Sequence, residues 1–312
     1  MAAKLKFADS HNIVGYLMDP PATHKEFQSM ITGLNSCRIS KALRASPVIR
    51  TDLIADFWNN ARINKEGANE AGTVESVVKG TAVVISEQTI HQVLEFGDKP
   101  GFLNDYPADK VKESLDQMCY EGSYPPTIKK LLPPFWKFLA HTFMNCISGR
   151  KGGSDEINKK PTSVIVALAM DWDYNFSKLV FEEMKKNLSK KKNSLLMYPR
   201  FIQMILNEEY PEIPHSNDTV HLKALNPDTF KLMKQNKANK QFVFRGDRPL
   251  VEFGRFANEE EEHDDEEEDT VGDQAAAPTN EEIVGNAPDQ EEITEVIQEQ
   301  KPQPTLTLRP PL

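Results

Sequence analysis

Between Glu259 and Asp269 the chain carries ten carboxylates and a single histidine, with nothing apolar among them. Like charges at this density repel, and no side chain there offsets the entropy of ordering the backbone. Any core must therefore come from the residues ahead of this run. From Asn258 onward, 18 Asp/Glu stand against 2 Lys/Arg, a net −16, while residues 1–257 hold 35 Lys/Arg against 29 Asp/Glu, a net +6. The expectation is a mildly basic folded body followed by a disordered acidic tail over 258–312, open to basic partners. Within the tail, Ile293, Val296 and Ile297 suit a short helix over Glu291–Glu299 that forms transiently or on a partner.

Ahead of the tail, apolar residues recur mainly at helical spacing. Ser10 is placed to cap a short helix carrying Ile13, Val14, Leu17 and Met18, which Pro20 and Pro21 end. Thr23 and Glu26 fit a capping box opening a helix with Phe27, Met30, Ile31 and Leu34. A shorter piece holds Ile39, Ala42 and Leu43, and Thr51 or Asp52 caps a helix bearing Leu53, Ile54, Phe57, Trp58 and Ala61. The pattern then changes period. Val74–Val78 and Ala82–Ile85 are rich in β-branched residues around Lys79-Gly80, which predicts a hairpin, with Ala61–Asn64 as a third strand. Ser86 caps a helix with Ile90, Val93 and Leu94, and Gly97 stops it.

The second half reads as helical. Val111, Leu115, Met118 and Cys119 share one face, and Phe135–Ser148 is apolar nearly all round, as a central core helix is. Ser163–Ala169, a helix with Phe176, Leu179, Val180 and Met184, and one opened by Pro199 follow, then a weaker helix from Asn226-Pro227. The fold class is thus mainly α, a multi-helix body with a small hairpin or three-stranded sheet near residues 61–85. The expected organisation is an N-terminal helical subdomain over 1–100, a second packed on it over 101–210, a basic extension over 211–257, and the tail.

Chemistry is harder to find. Cys37, Cys119 and Cys146 are too few and too scattered for a disulfide framework. Cys119, His141 and Cys146 lack the close ligand pairs of a zinc site. Gly149–Ser154 lacks the Walker spacing of a phosphate loop and follows a helix instead of a strand. Asp171 and Asp173 are open to two readings, a cation or acid–base pair and a turn anchored by Trp172 and Tyr174. The expectations are no enzyme, no cofactor and no metal. With no apolar leader and no membrane-length apolar stretch, an intracellular chain away from the membrane is expected.

Lysine clusters carry the one positive signal. Lys185, Lys186, Lys190, Lys191, Lys192, Lys237, Lys240 and Arg245 are candidate phosphate contacts. Two binding readings follow. One is a self-associating or weakly nucleic-acid-binding module; the other is a nuclear DNA-associated factor whose acidic tail takes basic partners. A third reading is an enzyme without a visible motif, its residues assembled only in space.

Several segments resemble a known family. Phe57-Trp58-Asn59-Asn60-Ala61-Arg62, Val77-Val78-Lys79-Gly80, Val83–Ser86 and Ile90–Phe96 resemble the plant transposon protein type of domain. Phe7–Asn12, Phe135–Thr142, Asn175–Lys178 and Leu196–Phe201 are similar to the gag-like N-terminal part of copia-type retroelement polyproteins. The resemblance implies a particle-building or interaction module, or a remnant of one. The zinc knuckle, the Asp-Thr/Ser-Gly protease motif, the Tyr-x-Asp-Asp polymerase motif and the integrase His/Cys signature are missing, so no catalytic residue carries over.

Overall fold

A hairpin between Thr73–Val78 and Thr81–Ile85 shows how local sequence sets local structure here. Its turn residues, Lys79 and Gly80, both take positive φ, at 48° and 88°. That two-residue turn matches the twist of the flanking strands. The register pairs Val78 with Thr81 and Ser76 with Val83. Val74, Ser76, Val78, Val83 and Ile85 then all face inward. The computed structural model describes residues 7, 11–64, 72–99, 101–150, 155–189, 196–215 and 217–233. The tail and its expected helix lie outside them, as does most of the basic extension.

In chain order, a 3-10 turn (Ala22–Phe27) leads into α1 (Gln28–Ser36), α2 (Ser40–Arg44), β1 (Ile49–Arg50) and α3 (Thr51–Asn60). Next come β2 (Arg62–Asn64), β3 (Thr73–Val78), β4 (Thr81–Ile85), α4 (Glu87–Leu94), α5 (Ala108–Gln117) and β5 (Thr127–Ile128). A short 3-10 turn, Lys129–Leu131, precedes α6 (Pro134–Cys146), β6 (Glu156–Ile157), α7 (Lys159–Ala169), α8 (Phe176–Leu188), α9 (Pro199–Glu209), β7 (Thr219–Val220) and α10 (Asp228–Lys231). The sheet β2-β3-β4 is antiparallel, and β1 with β7 and β5 with β6 form two small ribbons. The body is therefore mainly helical with a small sheet at residues 62–85.

One core runs through the described residues. α3 covers β3, where the Ser76 hydroxyl donates to the Phe57 carbonyl at 2.7 Å. α4 packs on α8 and α9, and α7 packs on α5 and α6, so the stretches 1–100 and 101–210 share apolar interior. Each fully buried Leu, Ile or Phe contributes about 1.5–3 kcal/mol by leaving water. α10 is held by its aromatic contacts: Phe230 stacks on Phe138 at 5.1 Å and meets Phe27 at 5.0 Å.

Several expectations fail at helix ends. The helix expected over Ser10–Met18 is absent among the described residues 11–18. There the N–H groups of Ile13, Val14 and Gly15 donate to the carbonyls of Asn145, Lys223 and Leu43. Long-range partners have replaced the i→i−4 bonds a helix needs. The Thr23–Glu26 capping box does not form, because a 3-10 turn behind Pro21 occupies that stretch. α3 begins at Thr51 with no side-chain cap; Asp52 instead meets the Lys79 ammonium at 2.8 Å. The Ser86 cap does form, as a box with Thr89. α4 ends at Glu95 with φ 48°, ahead of Gly97. The requirement at Gly97 is close approach: a Cβ there would lie 3.0 Å from the Arg38 side chain. Cys119 leaves the α5 face altogether and is exposed.

Candidate nucleic-acid interface

Two of the segments that carry the family resemblance meet in space. Phe7 bridges Leu196, and the backbone N–H of Tyr198 donates to His11 Nε2 at 2.8 Å. His11 Nδ1 lies 3.1 Å from the carbonyl of Arg150. Asn12 accepts from the Arg200 N–H at 3.0 Å and donates to the Cys146 carbonyl at 3.0 Å. The Arg200 side chain is 1 % exposed. Its guanidinium donates to the carbonyls of Asn12 (2.8 Å), Ala42 and Ala45 (both 2.7 Å) and Cys146 (3.1 Å). The Ala42 and Cys146 carbonyls belong to the last turns of α2 and α6, which have no intrahelical donor and carry partial negative charge. Burial lowers the Arg200 pKa to about 10, so the group stays charged at neutral pH. This buried knot is structural: it ties the N-terminal strap to three helices.

The other polar groupings are likewise taken up by the fold. Arg38 bridges Asp173 at 2.9 Å and Asp171 at 3.3 Å. Trp172 packs on Tyr106 at 4.6 Å, and the Tyr174 hydroxyl donates to the Asn104 carbonyl at 3.0 Å. The pair of carboxylates thus belongs to an anchored turn. Asp98, Ser177 and His91 line one small cleft of about 160 Å³. Here the Ser177 hydroxyl donates directly to Asp98, which also accepts the N–H groups of Phe176 (3.0 Å) and Ser177 (2.7 Å). In a nucleophilic triad the histidine stands between serine and carboxylate; the arrangement here caps α8. Cys146 is fully buried, and burial raises its thiol pKa to about 12. Among the described residues no group of three or more His, Cys, Asp or Glu is placed to hold a metal.

Of the eight candidate phosphate contacts, Lys190, Lys191, Lys192, Lys237, Lys240 and Arg245 lie outside the described residues. Lys185 and Lys186 close α8 and differ sharply. Lys185 is half-buried, lies 5.2 Å over the Phe181 ring and pairs with Glu182 at 2.8 Å. Lys186 is 64 % exposed, with its nearest carboxylate, Glu183, at 4.0 Å.

Lys186 lines a cavity of about 350 Å³ together with Arg150 and Lys160. Arg150 and Lys160 stand on either side of β6, and Lys186 comes from the end of α8. Arg150 donates to the Glu156 carbonyl in β6 at 2.6 Å, and Lys160 stands in the first turn of α7 just beyond. That turn carries Lys159 and Lys160 and no acid. Lys129 follows β5 directly, and its charge reaches Lys137 and His141 on α6. Burial and these two lysines push His141 down to about 4; burial and Lys129 push Lys137 down as well. Among the described residues that line the cavity Glu183 is the one carboxylate, and Asp155 offsets part of the Lys129 charge at Lys137. The lysine doublets Lys129-Lys130 and Lys159-Lys160 were visible as residues. The antiparallel pairing of β5 with β6 sets Lys129 beside Asp155, whose carbonyl accepts its N–H at 2.6 Å. Among the described residues, no helix is long and apolar enough to cross a membrane. Comparison with family models, with curated proteins and with solved structures finds no match to this chain.

Proposed function

We propose that this chain is a non-catalytic, gag-like interaction module of mobile-element origin, which binds nucleic acid through phosphate contacts and associates with copies of itself. The observation that carries the reading is the convergence of Arg150, Lys160 and Lys186 on one cavity. Cations gathered on one cavity, Lys186 exposed and Arg150 and Lys160 half-buried, can neutralise phosphates without reading bases. The polar groups with catalytic potential support the same reading from the other side, since Asp98, Asp171 and Asp173 are engaged in capping and turn contacts. Self-association is supported by Val77 and Val84, which are 47 % and 43 % exposed on the outer face of the hairpin.

The test is anisotropy of a labelled single-stranded RNA titrated with the full chain over a range of salt. Three phosphate contacts give a log–log salt slope of about −2. Absence of binding at low salt, or a flat salt dependence, sinks the nucleic-acid half. Light scattering that finds a strict monomer with and without RNA sinks the self-association half. Stronger binding to duplex DNA than to RNA in the same assay favours the nuclear-factor reading.

A further inference from the structure

We infer that the cavity between α6, α7 and α8 is a subsite for one nucleoside phosphate unit, the phosphate on its cationic rim and the nucleoside against its apolar floor. This rests on the phosphate-binding reading and sharpens it. A volume of about 350 Å³ lies within the range of small-molecule clefts and far exceeds what a bare phosphate fills. The lining is two-sided. Arg150, Lys160 and Lys186 supply positive charge, while Pro161 and the stems of the basic side chains supply apolar surface above the nearly buried Phe143, Leu179 and Met197. A purely electrostatic phosphate contact needs no such floor; a ligand that joins an anion to a planar apolar group uses both. Glu183 stands among the cations, where a carboxylate accepts from a ribose hydroxyl or an exocyclic amine.

Strand type follows from the same geometry. In a duplex the bases are stacked inside and only the backbone reaches a surface cavity. An unpaired nucleotide can turn its base inward. The subsite therefore takes a free nucleotide or one nucleotide of a single strand, and rejects duplex.

Isothermal titration of the full chain with AMP, adenosine and inorganic phosphate tests this. AMP is expected to bind at least about tenfold more tightly than either fragment. In K160E and in K186E, AMP affinity falls by about tenfold while the thermal melt stays put. Equal binding of AMP and phosphate, or AMP binding unchanged in both variants, overturns the inference. A single-stranded oligonucleotide that displaces AMP identifies a strand subsite, whereas AMP binding without displacement identifies a free-nucleotide site. The two readings fail separately. RNA binding that persists in the K160E/K186E double variant with an undiminished salt slope, in a chain that does not bind AMP, removes the cavity and leaves the phosphate-binding function. AMP binding in a chain that ignores RNA removes the function and leaves the cavity.

Discussion

Arg200 and Lys186 belong to the same basic class and sit at opposite limits of what a fold does with a cation. Arg200 is enclosed, and four backbone carbonyls take its guanidinium. Lys186 is exposed at the mouth of a cavity with two other cations and one carboxylate. Enclosure makes the first group a structural tie whose loss leaves buried acceptors without donors. Exposure makes the second nearly irrelevant to stability and available to an anion. Positive charge in a sequence therefore has no fixed meaning; its surroundings decide between holding the chain together and meeting a partner.

Substitutions can break this contrast. R200M should cost the most, about 3–5 kcal/mol, because the carbonyls of Asn12, Ala42, Ala45 and Cys146 lose their donors together. The urea midpoint reads it, and a near-neutral result would end the structural account of the knot. R200K keeps the charge without the planar fork and should fall between. D98A removes the carboxylate that accepts from Phe176 and Ser177 at the start of α8. About 2 kcal/mol should go, again by urea.

His141 gives an effect of about 1–3 kcal/mol that depends on pH. Its folded pKa is lowered to about 4, by burial first and then by Lys129 and Lys137. An unfolded histidine protonates near about 6.5. Between these values the unfolded chain binds a proton that the folded chain refuses. This contribution is complete above about pH 6.5 and is lost as pH falls toward 4. H141Q should flatten that part of the stability profile; an unchanged profile would assign the acid sensitivity elsewhere. Smallest in stability is K186E, within about 0.5 kcal/mol of the parent, although its RNA salt slope should shrink by about 0.7. A variant at either site that moves both stability and binding would erase the distinction between the two regions.

Much of the body was legible ahead of the structure, and the reasons are local. Lys79-Gly80 between β-branched runs gives the hairpin, because a positive-φ pair demands that turn. Ser86 announces α4 through its own hydroxyl. Phe201, Ile202, Ile205 and Leu206 repeat at the helical period and are all buried. The misses are the places where a distant partner outbids a local one. Residues 11–18 carry helical spacing, yet their N–H groups go to carbonyls as far off as Asn145 and Lys223. Gly97 has the composition of a helix stop, but its constraint comes from Arg38. Of the candidate contacts in α8, the neighbours Lys185 and Lys186 could not be told apart until Phe181 and Glu182 were seen to engage the first.

Sequence alone determined the helical character of the body, its hairpin and the limit that a block of carboxylates sets on the core. Period, turn residues and charge density act over a few neighbours, and that is the range a sequence displays. Tertiary structure decided which polar residues are structural and which remain open to a ligand. Arg200 sits beside Pro199 and Phe201 in an ordinary amphipathic helix, and nothing within a few residues marks it for full burial. Its acceptors lie 54 to 188 positions away. The basic cavity arises in the same way, since the turn after α6, the first turn of α7 and the last turn of α8 bring Arg150, Lys160 and Lys186 to one cavity. Burial and electrostatic environment depend on elements brought together from across the chain, so they belong to the fold.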